Sequence, residues 1–159
     1  MTDYWNKEIL VLGCGNVLFG DDGFGPAVVD YLQKNFEIPP NACAIDAGLS
    51  VRELLFTIVL GEQQPRKIII VDAIDAGRPP GEIFELKVSE IPEIKIDDFS
   101  MHQLPTSNLL RELQDLCGVD VKIISVQVQN IPAEVAPGLS SVVKNSIPPT
   151  CDKILAALN

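Results

Sequence analysis

Four acidic residues and the only histidine of this 159-residue chain lie where strand-like segments end or a helix-like segment begins. Asp21 and Asp22 follow the first strand-like segment, Asp46 and Asp72 end the second and third, and His102 precedes a later helix-like segment. Carboxylate and imidazole groups can transfer protons and bind divalent cations. One imidazole nitrogen with two carboxylate oxygens would suit nickel, zinc, iron or manganese and would leave coordination positions open.

The elements that must position these residues predict a layered α/β fold. Strand-like runs lie at 8–13, 42–46, 67–73, 82–88 and 120–128. Helix-like stretches at 22–35, 50–60 and 106–117 and in the C-terminal tail alternate with them. We predict a single three-layer domain over residues 1–159, with a twisted, mostly parallel five-stranded sheet and helices on both faces. The turn 75–84 joins two strand-like runs without a helix, which predicts one hairpin-related antiparallel strand near an edge.

In open sheets of this class, ligands bind at the carboxyl ends of the strands. The connections after the first three strands and the loop that holds His102 are therefore predicted to meet at one rim. Each residue alone also has a plainer interpretation. Asp72 could be held by nearby backbone N–H groups, and a lone loop histidine could be exposed and without a role.

The glycine turn "GCGNVLFGDDGFG", residues 13–25, matches a nucleotide-binding turn only in part. A dinucleotide fingerprint requires glycine at position 18, where the chain has Leu18, although Asp46 imitates the acid that binds ribose. A phosphate-binding P-loop is excluded because no Gly-Lys-Ser or Gly-Lys-Thr follows. An aspartate of "GDDG" could also cap a helix, and if Asp21 does so, Asp22 is left to face the cleft.

Other catalytic arrangements have weaker support in the sequence. A Ser–His–Asp triad around His102 lacks a Gly-x-Ser-x-Gly turn to supply its serine. Cys14 could pair with His102, but its place in an apolar strand-end turn is typical of an inert thiol. The His-Glu-x-x-His motif of zinc peptidases does not occur in the sequence.

Composition limits the predicted partners and compartment. The net charge of −10 disfavours nucleic acid and anionic membrane surfaces, whose recognition depends on clustered Lys and Arg. No apolar run approaches the roughly 20 residues of a membrane span, and residues 1–10 lack the features of a signal peptide. The four cysteines show no Cys-x-x-Cys spacing. These features predict a cytoplasmic protein with reduced cysteines.

Three segments in this order, "ILVLGCGNVLFGDDGFGPAVV", "IIIVDAIDAG" and "MHQLPTSNLL", resemble the hydrogenase maturation endopeptidases. The later "VQNIPAEVAPGLSSVV" is similar to the closing segment of that family, so the resemblance covers essentially the whole chain. Within the family, the chain resembles in particular the group that serves the coenzyme F420-reducing hydrogenases of methanogenic archaea.

The resemblance implies a five-stranded sheet between helices and an endopeptidase activity. Members of the family remove a C-terminal extension from the precursor of a nickel–iron hydrogenase large subunit, after nickel has been inserted. The family's three metal-contacting positions fall on Asp22, Asp72 and His102, and Asp22 or Asp72 would serve as general base. The first position is often glutamate in the family, and the shorter aspartate keeps the ligand chemistry while changing the reach to the ion.

The resemblance also implies substrate contacts and a role for the metal. Asp46, Gly15 and Asn16 would contact or orient the substrate. No permanently bound cofactor is expected. Nickel carried by the precursor would be the feature that the enzyme recognises, so that only a loaded substrate is cleaved. A non-catalytic nickel-binding chaperone or adaptor that uses the same residues stays open as the alternative.

Overall fold

The computed structural model describes residues 6–90 and 103–159, and within them the chain forms one five-stranded sheet and five α-helices. The strands are β1 (Ile9–Cys14), β2 (Ala42–Gly48), β3 (Lys67–Ile74), β4 (Ile83–Leu86) and β5 (Asp120–Gln127). The helices are α1 (Phe24–Asn35), α2 (Val51–Leu60), α3 (Gln103–Asp115), α4 (Ser141–Lys144) and α5 (Ile147–Ala156). Short 3₁₀ turns occupy Gly20–Gly23 and Val88–Glu90.

The strand order is β2-β1-β3-β5-β4, and every pairing except that of β4 with β5 is parallel. The antiparallel strand lies at one edge, as predicted. The predicted hairpin is wrong, because β5 lies between β3 and β4 and is the strand with which β4 pairs. The short connection between β3 and β4 explains this direction, since a parallel crossover requires about a dozen residues or more. The mostly parallel five-stranded sheet of the sequence prediction is confirmed.

Helices cover both faces of the sheet. Ile69 and Val71 of β3 pack in the core that includes residues of α1 and α5. Ile68 and Ile70 pack in the opposite core, with residues of α2 and α3. A strand that is buried on both faces requires apolar residues at successive positions, which is why β3 reads as a nearly continuous apolar run. The three-layer arrangement is confirmed, and the extent of the domain over 1–159 stays a prediction.

The order in which the chain adds strands creates a topological switch point between β1 and β3. The chain leaves β1 through α1 to reach β2 on one side, and then passes through α2 to β3 on the other side. The connection after β1 therefore runs toward β2 and the connection after β3 runs the other way, toward β4, which opens a crevice between the carboxyl ends of β1 and β3. Open α/β sheets bind their ligands at such a switch point.

No helix in the described part of the chain is long and apolar enough to cross a membrane.

Candidate functional site

The glycine turn after β1 folds back on itself and holds Asp22 at the strand end. Gly15 has a φ of +132°, and a Cβ atom there would overlap the Asp22 carbonyl oxygen. The backbone N–H of Asn16 donates a hydrogen bond of 3.0 Å to Asp22 Oδ2. The Asp22 side chain is 6% exposed. The turn thus presents a nearly buried carboxylate, oriented by a backbone donor, beside the crevice.

The first turn of α1 lies directly against the carboxyl ends of β1 and β3. A Cβ atom on Gly25 would lie 2.5 Å from the Val71 carbonyl oxygen and would overlap the backbone of Cys14. The 3₁₀ turn that carries Asp22 also contacts β3. Because Asp72 directly follows Val71, the structure places Asp22 and Asp72 at the same crevice.

Asp72 is a buried aspartate near the carboxyl end of β3, the central strand of the sheet. Its side chain is 5% exposed and follows Ile70 on the face covered by α2 and α3. The N–H of Ala73 donates a 2.8 Å hydrogen bond to Asp72 Oδ1. This hydrogen bond matches the plainer interpretation of Asp72 as a carboxylate held by a backbone N–H group. It also fixes the position of the carboxylate at the crevice.

Asp21 does not cap a helix, so that interpretation is wrong. Helix α1 has Gly23 at its N-cap and no side-chain cap hydrogen bond. The Asp21 carboxylate is fully buried and accepts N–H bonds from Gln129 and Asn130 (2.8 and 2.9 Å) and from Ser140 (2.7 Å). Ser140 Oγ lies 2.9 Å from both carboxylate oxygens. Asp21 therefore links the glycine turn after β1 to the loop between β5 and α4. Of the two adjacent aspartates, Asp22 is the one at the crevice.

Asp21→Asn is expected to lower the free energy of unfolding by about 3 kcal/mol, because the amide NH₂ would face backbone donors that now share a carboxylate. Urea denaturation measures the loss as a lower transition midpoint. Asp30→Asn is the matched control, since its bridge to Lys34 is solvent-exposed and should contribute about 0.5 kcal/mol or less. Equal midpoints for the two variants would contradict the anchoring role.

The proposed substrate-contacting residues lie along the same rim. Gly15 and Asn16 belong to the glycine turn after β1, and the Gly15 N–H donates to the Gly48 carbonyl oxygen at 3.2 Å, which joins the ends of β1 and β2. Asp46 pairs with Gly13 in the β1–β2 register and is exposed. An exposed carboxylate beside the crevice is accessible to a protein substrate, and its role stays a prediction.

His102 lies outside the described residues, so its meeting with Asp22 and Asp72 stays a prediction. Within the described residues no group of three His, Cys, Asp or Glu side chains is arranged to hold a metal ion. Two of the three predicted ligands are thus brought to one crevice, and the proposed third comes from the segment before α3.

Gln127 is a buried positioning residue that the sequence interpretation missed. Its Oε1 accepts N–H bonds from Ala76 and Arg78 at 2.8 and 3.1 Å, and its Nε2 donates to Asp75 Oδ1 at 3.1 Å. These bonds fix the turn that follows Asp72. A polar residue at the end of the apolar run 120–128 is the sequence signal that could have identified it.

Three of the thiols, those of Cys14, Cys43 and Cys151, are buried and unsuited to nucleophilic catalysis. All four cysteines lie among the described residues, and none forms a disulfide. Burial, with a smaller contribution from Asp152, raises the pKa of Cys151 to about 11, and burial also raises the pKa of Cys43. Both stay protonated at neutral pH, and the thiolate is the reactive form. Cys14 is 3% exposed, with its Sγ 3.7 Å from the Leu12 carbonyl oxygen.

The fold and the crevice define an α/β protein with a carboxylate-lined site at the switch point of its sheet. The family model of the HycI hydrogenase maturation proteases matches residues 26–157. The chain is 38% identical over 155 residues to the coenzyme F420 hydrogenase subunit delta of Methanothermobacter thermautotrophicus, covering 95% of this chain and 94% of that one. It is 33% identical over 155 residues to the hydrogenase 2 maturation protease of Escherichia coli, with coverage of 95% and 90%.

The solved structure of the hydrogenase maturating endopeptidase HybD from Escherichia coli has the same fold. It superposes with a TM-score of 0.78 at 29% identity, over 95% of this chain and 91% of that one. The chain belongs to the hydrogenase maturation protease family, and it is a peptidase. The resemblance seen in the three sequence segments is confirmed.

Proposed function

We propose that this protein is an endopeptidase that removes the C-terminal extension of a nickel–iron hydrogenase large-subunit precursor after nickel insertion. It recognises the nickel that the precursor carries, through Asp22, Asp72 and His102. The observation that supports this most directly is the pair of nearly buried carboxylates, 6% and 5% exposed, at the ends of β1 and β3. Each has one oxygen held by a backbone N–H.

Two carboxylates at one crevice favour a cation, because burying negative charge is costly unless a partner offsets it. Carboxylate oxygens with an imidazole nitrogen match the ligand preferences of nickel. An incomplete set of three ligands binds a free ion weakly, yet it completes the coordination of an ion that the precursor's own ligands already hold. Selectivity for the loaded precursor follows, since an empty precursor offers these residues nothing to bind.

Peptide cleavage requires a base for the attacking water and a proton donor for the leaving amine. Asp22 or Asp72 takes a proton from water as the water oxygen attacks the scissile carbonyl carbon. The carboxyl group then gives that proton to the amide nitrogen as the C–N bond breaks, which leaves a new C-terminal carboxylate and a free amine. The precursor's nickel, held nearby, polarises the carbonyl oxygen or the water. The positions of Asp22 and Asp72 beside an open crevice support either carboxylate as the base.

An apolar groove beside the site suits the chain that flanks the scissile bond. It has a volume of about 300 Å³ and is lined by Val17, Leu18, Ala27, Pro137 and Leu139 among others. Val17 and Leu18 are 52% and 46% exposed, and they follow Asn16 directly. An apolar side chain of the precursor would bury surface here while the scissile bond lies over the crevice.

The expected hydrogenase is a coenzyme F420-reducing enzyme. The relative of Methanothermobacter thermautotrophicus that covers 95% of this chain is named as a subunit of coenzyme F420 hydrogenase. We propose that the large-subunit precursor of such an enzyme is the substrate of this peptidase.

Wild-type protein is expected to shorten a nickel-loaded precursor and to leave a nickel-free precursor intact. His102→Ala should abolish cleavage of the loaded precursor because it removes the proposed nitrogen ligand, while its circular dichroism and thermal transition stay those of the wild type. Mass spectrometry of the precursor before and after incubation measures the shortening.

The same experiment separates the peptidase from a nickel-binding chaperone. A chaperone would bind the loaded precursor without shortening it, which would contradict the proposed function. Equal cleavage of loaded and nickel-free precursors would show that nickel is not the recognition handle. Cleavage at the wild-type rate by His102→Ala would remove His102 from the ligand set.

A further inference from the structure

Ser125 in β5 carries a buried hydroxyl that the resting fold leaves unused. Its side chain is 0% exposed, and its Oγ has no hydrogen-bond partner among the residues that the structure describes. The other buried hydroxyls among the described residues are satisfied. Ser146 Oγ donates to the Gly81 carbonyl oxygen at 2.6 Å, and Thr150 Oγ1 donates to the Ser146 carbonyl oxygen at 2.7 Å. An unsatisfied buried hydroxyl costs stability, so its presence requires a reason outside the resting fold.

The register of the sheet places Ser125 directly beside Asp72. Ser125 pairs with Asp72 across the parallel β3–β5 ladder and with Phe84 across the antiparallel β4–β5 ladder. Successive side chains alternate between faces, and Ile123 faces the core formed with α2 and α3, so Ser125 faces it too. The Asp72 carboxylate lies on that same face. Since Phe84 is apolar, Asp72 is the polar side chain on the neighbouring strands that Ser125 can reach.

We propose that Ser125 is a positioning residue for Asp72, and that its hydroxyl donates to the Asp72 carboxylate when the nickel of the precursor occupies the crevice. This inference rests on the proposed function. Neighbouring strands lie about 4.8 Å apart, a gap that the two side chains span with an O–H···O bond of about 2.7 Å.

The proposed bond would give Asp72 a fixed contact from the neighbouring strand. The Ala73 N–H already holds Oδ1 from the backbone side, and a hydroxyl from β5 would hold the carboxylate from the neighbouring strand. Two donors on different sides prevent rotation of the carboxylate about its Cβ–Cγ bond. Its remaining lone pairs then keep one direction toward the ion, as outer hydrogen bonds do for the ligands of metal sites.

Ser125→Ala is the decisive variant, because the positioning role and a purely structural role predict different combinations of effects. Removal of an unsatisfied hydroxyl should leave Tm unchanged or raise it by about 2–4 °C. The same variant should lower kcat/KM for the nickel-loaded precursor by about 10- to 100-fold, the value of one hydrogen bond to a charged group. Ser125→Thr keeps the hydroxyl and should recover most of that loss, and Ser125→Cys, a weak donor of similar size, should fall between Ala and Thr.

Ser146→Ala is the matched control, since its hydroxyl is satisfied by the Gly81 and Val142 carbonyl oxygens and lies outside the sheet, between α4 and α5. It should lower Tm and leave kcat/KM of the folded enzyme unchanged. Wild-type cleavage by Ser125→Ala, in the same assay in which Asp72→Asn is inactive, would overturn the positioning role and leave the proposed function standing. Wild-type cleavage by Asp72→Asn would instead overturn the proposed function.

Discussion

Asp72→Asn and Asp22→Asn are each expected to lower kcat/KM for a nickel-loaded precursor by at least about 100-fold while the protein stays folded. The substitution keeps the size of the side chain and an oxygen that can accept the N–H bond of Ala73 or Asn16. It removes the negative charge and the second carboxylate oxygen, and with them the base and the anionic ligand. Because burial of charge is costly, Tm should stay equal to that of the wild type or rise.

The assay follows the initial rate of precursor shortening by electrophoresis or mass spectrometry, with Tm from thermal denaturation. Asp120→Asn is the matched control, since Asp120 is 68% exposed and begins β5 at the opposite end of the sheet from the site. It should cleave at the wild-type rate. A fully active Asp72→Asn variant would contradict the role of that carboxylate in catalysis and in nickel recognition.

Gly25→Ala is expected to lower the free energy of unfolding by about 3 kcal/mol or more, which is the upper range for overpacking. An added Cβ would lie 2.5 Å from the Val71 carbonyl oxygen and would overlap the backbone of Cys14. These neighbours are backbone atoms of two sheet strands and cannot turn aside. Relief requires the start of α1 to move away from the strand ends, and that movement also displaces Asp22. Both the urea midpoint and the cleavage rate should therefore fall.

Gly61→Ala provides the matched control for this substitution. Gly61 has a φ of −71°, and a Cβ atom there would meet its neighbours at 3.4–3.5 Å, which is near ordinary contact. Its effect should lie between neutral and about 1 kcal/mol of stabilisation, through the lower entropy of the unfolded chain. A Gly25→Ala protein that is as stable as Gly61→Ala would show that close approach of α1 to the strand ends is not required.

The fold could be predicted because its signals are local and repeated. The apolar run at 67–73 marks a strand buried on both faces, and the turn 75–84 lacks the length for a helical crossover. These two features suffice to predict a parallel sheet with one antiparallel edge strand, and the structure confirms both. Helix ends were less well predicted: the stretch expected at 106–117 is a helix at Gln103–Asp115.

For the candidate site, the sequence predicts a residue's placement only where it follows from a position at a strand end. That rule brings Asp22 and Asp72 to one crevice. Asp21 shows the limit of this rule. The local sequence predicts a helix cap, whereas the actual hydrogen-bond partners, at 129–130 and 140, lie more than a hundred positions away. The pairing of Ser125 with Asp72 depends on strand order and register, which no local pattern specifies.

The most direct test of the central claim is to locate a divalent ion bound to the protein by anomalous diffraction from crystals soaked in Zn²⁺, a stand-in for the precursor's nickel. One peak should lie about 2.0–2.2 Å from a carboxylate oxygen of Asp22, a carboxylate oxygen of Asp72 and a ring nitrogen of His102. An ion bound elsewhere, or a His102 ring directed away from both carboxylates in the soaked crystal, would contradict coordination of the metal by all three residues.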